Sequence, residues 1–321
     1  MKDSVAPFTA KKTYLIIGLA FIAQMLIAIL ASFLIFRPFS DAEKLKQLVS
    51  VITPAGAFLL MYVPRAIGVI AFWLIVRAIP FKRQPGSKMG FGTILQLFFI
   101  MYAFSSVANI IGIGMNMLSP AGTQTPTDQI SGIISTGNIG GFIIVLMLAP
   151  VFEELVFRKM LLDRTAGFGE TNAILFSAIC FGLFHENLTQ SLYTFGIGLI
   201  LGYVYIKTRN VFVTMIMHFV FNFIGTSAMY VLPMMEKGGR SPALIAVVAL
   251  IMSAMVVSNV LGIIFLIKWI RNKKFVLNNN TEHCIQKKDV FKTIYLSASV
   301  VVFFALCLFS IVASLFNIKV F

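Results

Sequence analysis

Residues 138–162 read NIGGFIIVLMLAPVFEELVFRKMLL, an apolar run of membrane-spanning length that carries Glu153, Glu154 and Arg158. A bilayer core of about 30 Å takes roughly 20 residues of helix. A charge at mid-bilayer costs roughly 2.5–3.5 kcal/mol on insertion scales, so three isolated charges would cost about 9 kcal/mol. A chain keeps such groups when they satisfy one another in a polar cavity. Two further apolar runs carry polar side chains of related type, Phe181 and His185 in one, His218 and Asn222 in the other. Acid, imidazole and amide are the groups of hydrolytic chemistry.

The same reading extends outward along the chain. Of its 321 residues 59% are hydrophobic and only 12% charged, with a mean hydropathy of +0.92, so the bilayer is its solvent. Nine runs are long enough to span, at 13–36, 51–79, 91–118, 138–162, 171–187, 188–207, 210–233, 242–270 and 293–317. They predict an all-α polytopic membrane helix bundle of about 8–9 transmembrane helices. Residues 1–321 then form a single membrane domain, with the core helices in 138–233. Pro54 and Pro64 predict a kink or an interfacial stretch in the second run. The fifth and sixth runs nearly touch at Glu186-Asn187, which predicts a tight helical hairpin or a re-entrant segment. Gly198 and Gly202 form a GxxxG whose plain reading is close helix packing.

A net charge of +14 raises nucleic acid as a partner. The basic residues, however, cluster in short segments between apolar runs, where anionic lipid and topology account for them and nucleic acid does not. With the N-terminus inside and the sides alternating, 19 Lys and Arg fall inside and 6 outside. The predicted setting is a bacterial plasma membrane with a cytoplasmic N-terminus. The run at 13–36 is too long for a signal-peptide core and is read as a retained first helix. Cys180, Cys284 and Cys307 are scattered and form neither a disulfide framework nor a zinc knuckle.

Spacing then groups the polar residues. Glu154 and Arg158 share a helix face at i, i+4 and are predicted to pair, leaving Glu153, about 100° round the helix, to face something else. His218 and Asn222 also share a face and must point into the bundle. The third histidine, His283, is in a basic loop. At 1.5 Å per residue, Glu153 lies roughly 15 Å from the inner boundary, His218 roughly 12 Å and His185 roughly 22 Å. His185 comes level only if its helix starts late or tilts. The plain readings are a salt-bridged helix end for Arg158 and a packing role for His185. Ser177 has no GxSxG or Ser-Lys context, and no aspartate lies within a run, so serine and aspartyl proteolysis are disfavoured.

Glu153-Glu154 with Phe157-Arg158, then Phe181 with His185, then His218 with Asn222, resemble the EExxFR, FxxxH and HxxxN motifs of the CPBP family. These are the type II CAAX prenyl endopeptidases and their bacteriocin-linked bacterial relatives. The resemblance covers Glu153 to Asn222. It implies intramembrane endopeptidase activity on a peptide or protein substrate, membrane-anchored where the cell supplies one. It also implies roles. Glu153 with His185 activates a water, His218 with Asn222 steadies the oxyanion, and Glu154 with Arg158 supplies supporting electrostatics. The family is often called a metalloprotease, and Glu153, His185 and His218 could hold zinc with a water in the fourth position. The HExxH spacing of zincins is absent, because Thr189 stands at i+4 from His185. A glutamate-activated water is therefore the favoured reading and a divalent metal the alternative. A catalytically silent scaffold or immunity protein, and a proton-coupled transporter, are the competing functions.

Overall fold

The computed structural model describes residues 9–37, 54–81, 84–119, 139–236, 241–279, 285–316 and 318. His283, Cys284 and most of the polar stretch after Ser119 lie outside the described residues. Within them the structure is all helix. Each of the nine apolar runs contains one long helix. These are α1 Ala10–Phe36, α2 Pro54–Val76, α3 Phe91–Met117, α4 Ile139–Glu154 and α5 Glu170–Leu183. They continue with α6 Leu188–Thr208, α7 Val211–Glu236, α8 Pro242–Arg271 and α9 Ala298–Leu315. Five regions are long and apolar enough to cross a membrane by length and composition: α1, α3, Val211–Ala228 of α7, α8 and α9. The exposed aliphatic side chains of α8, such as Leu250, suit contact with lipid rather than water.

Local chemistry sets several boundaries. Thr9 caps α1 by accepting from the Lys12 amide, and Ser241 caps α8 by accepting from the Leu244 amide, with Pro242 in the first turn. The fifth run ends four residues earlier than its apolar length suggests. α5 stops at Leu183, and Glu186 turns the chain in a left-handed conformation at φ 57°. Asn187 then caps α6, accepting from the Gln190 amide at 2.8 Å. The last run divides as well. Lys287–Val290 and a π-helical turn Phe291–Tyr295 precede α9.

The fourth run also changes character where its charges lie. α4 passes without a break into a π-helix, Leu155–Leu162, whose hydrogen bonds reach i→i+5 rather than i→i+4. Val156, Phe157, Arg158, Leu161 and Leu162 of this segment are buried.

Helices α5 and α6 form a hairpin at the centre, and the GxxxG explains how closely they approach. A Cβ on Gly198 would lie 2.8 Å from the Ala178 Cα, and one on Gly202 would lie 3.1 Å from an Ile174 methyl. Helix α3 covers the outer side of α6, α8 packs on α3, and α1 bridges α2 and α9. Aromatic rings fill the seam under α1, where Phe21 stacks on Phe303 at 4.6 Å and on Phe157 at 5.6 Å.

Charged and polar contacts tie one end of the bundle together. Asp163 accepts from the Tyr205 hydroxyl at 2.8 Å and pairs with Lys159 at 2.7 Å. Arg164 donates to the Val76 carbonyl at 2.7 Å. Lys207 pairs with Glu170 at 3.4 Å, its carbonyl accepts from the Ser87 hydroxyl at 3.0 Å, and the Asn278 amide donates to Glu170 at 2.7 Å. Tyr14, in the second turn of α1, packs against Phe168 and Phe176. The ends of α2, α4, α6 and α8 therefore meet the starts of α1, α3 and α5 on one side. That alternation matches the one-sided clustering of Lys and Arg.

Candidate active site

Glu153, one residue before the end of α4, and His185, in the turn after α5, line one cavity of about 510 Å³. Helices α1, α2 and α9 supply its other walls, through Gln24, Arg65 and Ser310 among others. Helix α5 has 14 residues, about 21 Å of rise, less than a bilayer core. Its far end and the following turn therefore fall within the membrane's depth. Irregular backbone is tolerated at that depth where it lines a cavity or is buried in protein.

His185 reaches the site by folding back on its own helix. Its Nδ1 lies 2.8 Å from the Phe181 carbonyl, which can only accept, so Nδ1 carries the proton and Nε2 keeps the lone pair. The turn is held from the other side as well. The Asn187 side chain donates to the His185 carbonyl at 3.1 Å and to Gln190 at 2.7 Å. This fold-back answers the depth problem posed by the sequence. His185 shares a cavity with Glu153 from a turn, and its helix does not start late: α5 begins at Glu170.

His218 joins the two glutamates. Its Nδ1 lies 3.1 Å from Glu154 Oε1, and its Nε2 lies 3.7 Å from Glu153 Oε2. The ring is only 2% exposed. Glu154 faces Arg158 at 3.1 Å, with both side chains fully buried. The guanidinium also lies 4.8 Å from the centre of the Phe181 ring and donates to Ser177 at 3.4 Å. Its Nε is close to the carboxylate but poorly aligned for a hydrogen bond, so the pair is chiefly electrostatic. Phe181 packs edge-on against both imidazoles, with ring centres 5.0 Å from His185 and 5.8 Å from His218. The chain of contacts runs Arg158, Glu154, His218, Glu153, and from Glu153 into the cavity.

The predicted i, i+4 pairing of Glu154 with Arg158 is present, and Glu153 faces a histidine. The sequence did not announce that Glu154 also holds His218, a contact that spans 64 positions of chain. Thr214, fully buried one turn before His218, faces the same carboxylate. Its i, i+4 spacing from His218 was the available signal. Asn222 is half-buried one turn beyond His218 and is not part of the cavity lining. Ser177 is fully buried, and its hydroxyl donates to the Phe157 carbonyl at 2.9 Å. It fastens α5 to the π-helical segment.

Glu153, His185 and His218 do not form a ready metal-binding group. Among the described residues no three His, Cys, Asp or Glu side chains are arranged to hold an ion. Each imidazole commits its Nδ1 to a fixed acceptor and keeps its Nε2 lone pair, an orientation that serves a base and a metal ligand alike.

The fold and site define a polytopic helical membrane protein with a buried carboxylate–histidine cluster opening on an internal cavity. Residues 135–224 match the family model described as Rce1-like, type II CAAX prenyl endopeptidase. That match covers the segment that carries all three motifs. Among curated proteins and solved structures no match to the chain was found.

Proposed function

We propose that the chain is an intramembrane endopeptidase that hydrolyses a peptide bond with a water activated by Glu153 and His185. The observation that carries this reading is the shared cavity. A carboxylate and an imidazole with a free Nε2 line one chamber, and a second imidazole stands 3.7 Å behind that carboxylate. A water in the chamber gives its proton to Glu153 while His185 Nε2 orients it by accepting a hydrogen bond. The resulting hydroxide attacks the carbonyl carbon, the carbonyl oxygen becomes an oxyanion, and the proton on Glu153 passes to the leaving amine.

His218 has given its Nδ1–H to Glu154, so Nε2 faces Glu153. His218 meets the developing negative charge, and Asn222, one turn beyond it and outside the cavity lining, is the second donor that the HxxxN motif assigns. Arg158 holds the Glu154 carboxylate in place, and so fixes the orientation of the His218 ring. The substrate is a peptide or protein that reaches the cavity from within or beside the bilayer.

The test is hydrolysis of a lipid-anchored peptide library by purified protein in nanodiscs. Glu153→Gln keeps shape but cannot accept a proton, and is expected to lower turnover by about 10²-fold or more without unfolding the bundle. Asn222→Ala loses one oxyanion donor, worth about 10²–10³ in kcat. Near-normal proteolysis by Glu153→Gln would end the glutamate-base mechanism. A wild-type chain that cleaves nothing but carries protons in proteoliposomes would favour transport.

A further inference from the structure

Arg65 is a charged residue within the apolar run of α2, and neither the three motifs nor the chemistry above uses it. Its side chain is exposed, and what it is exposed to is the cavity that Glu153 and His185 line. The guanidinium carbon lies 5.6 Å from the centre of the Tyr62 ring, one turn earlier on the same helix face. That stacking orients the planar fork beside the cavity. Among the described residues Arg65 makes no ion pair. Glu186 and Ser310 line the same cavity.

An arginine inside a spanning helix is costly unless it is paired or faces a polar cavity. Here it lines the cavity. A planar fork with five N–H donors matches a carboxylate bidentately. The same cavity holds Glu153, so a carboxylate and a guanidinium line one chamber.

We propose that Arg65 is a specificity residue that binds a carboxylate of the substrate and so sets which peptide bond is presented to Glu153. This rests on the proteolytic reading of the cavity. The carboxylate can come from the free C-terminus of the peptide or from an Asp or Glu side chain near the scissile bond. Both present the same fork-shaped acceptor.

The experiment uses full-length protein in nanodiscs and N-terminally acylated randomised octapeptides in two sets, one with free C-termini and one amidated. Products are read by mass spectrometry. If the C-terminus is the ligand, wild type cleaves the free set about 10- to 100-fold faster in kcat/KM, the range of one charge-assisted contact. If an acidic side chain is the ligand, both sets are cleaved with a common enrichment of Asp or Glu over Asn or Gln at one position. In R65Q that ratio falls toward one, chiefly through KM. In R65K it is partly kept, because the charge survives and the fork does not. The ratio does not depend on how much R65Q protein folds. A wild type indifferent to both kinds of carboxylate would overturn the proposal. So would an R65Q variant that slows all members equally, since Arg65 would then act on the cluster and not on the substrate. Failure of wild type to cleave either set would instead overturn the proteolytic reading, and this proposal with it.

Discussion

Replacing Arg158 by methionine tests the electrostatic frame of the site. The side chain is fully buried, 3.1 Å from Glu154, 3.4 Å from the Ser177 hydroxyl and 4.8 Å from the centre of the Phe181 ring. Methionine fills most of that volume but leaves the Glu154 carboxylate facing a hydrophobic wall. Removing one partner of a buried ion pair typically destabilises by about 3–5 kcal/mol, because the other charge is left uncompensated. Part of that figure is the loss of a desolvated cation–π contact, worth about 2 kcal/mol. Glu154→Gln alone strands the guanidinium and should cost a similar amount, although the glutamine oxygen can still accept from His218. The double variant has no charge to strand. Its loss should fall short of the sum of the two single losses by about 2–3 kcal/mol. Equilibrium unfolding by SDS in mixed micelles, followed by the fluorescence of the buried Trp269, measures all four proteins. Two results would refute the reasoning: a loss under about 1 kcal/mol for Arg158→Met, or single losses that simply add.

Two other substitutions bear on the bundle around the site. Ser177→Ala should retain hydrolysis within about tenfold, because loss of a true nucleophile costs about 10⁶ in a serine protease. It should also lower stability by about 1 kcal/mol through the lost bond to the Phe157 carbonyl, and loss of all activity would reopen serine chemistry. Gly198→Ala drives a methyl to 2.8 Å from the Ala178 backbone and should destabilise by about 1–3 kcal/mol. Gly202→Ala meets only an Ile174 side chain at 3.1 Å and gains helix propensity, so its melting temperature should stay near wild type. The reverse order would show that the α5–α6 contact is not packed as described.

The helices were legible because each is an apolar run of spanning length, and lipid imposes that pattern regardless of tertiary detail. Glu154 and Arg158 were legible because a helix brings i and i+4 together by its own geometry. What stayed hidden is tertiary. Nothing in the spacing places His218 against Glu154, since α7 could meet α4 at any rotation. Arg65 is one charge in an apolar run, and the cavity it lines is walled by α1 and α9, far away in sequence. The end of α5 was misjudged for a related reason. Phe184 is apolar and continues the run, but the chain leaves the helix there to turn back toward Phe181. The π-helical stretch left no mark in composition, because its wider turns are set by how Phe157, Arg158 and Leu161 are buried.

The π-helical stretch does one thing that an α-helix could not. Upstream of it the fourth helix is phased by its two carboxylates, with Glu153 at the cavity and Glu154 at His218. Downstream it is phased by its anchors, Asp163 under Tyr205 and Arg164 on the Val76 carbonyl. A regular helix would lock these two orientations at 100° per residue, so any shift of the anchored end would rotate the carboxylates. The wider turns of Leu155–Leu162 work like a vernier between two dials. They take up the angular difference, so that chemistry and membrane anchoring are each set to their own zero on one continuous helix.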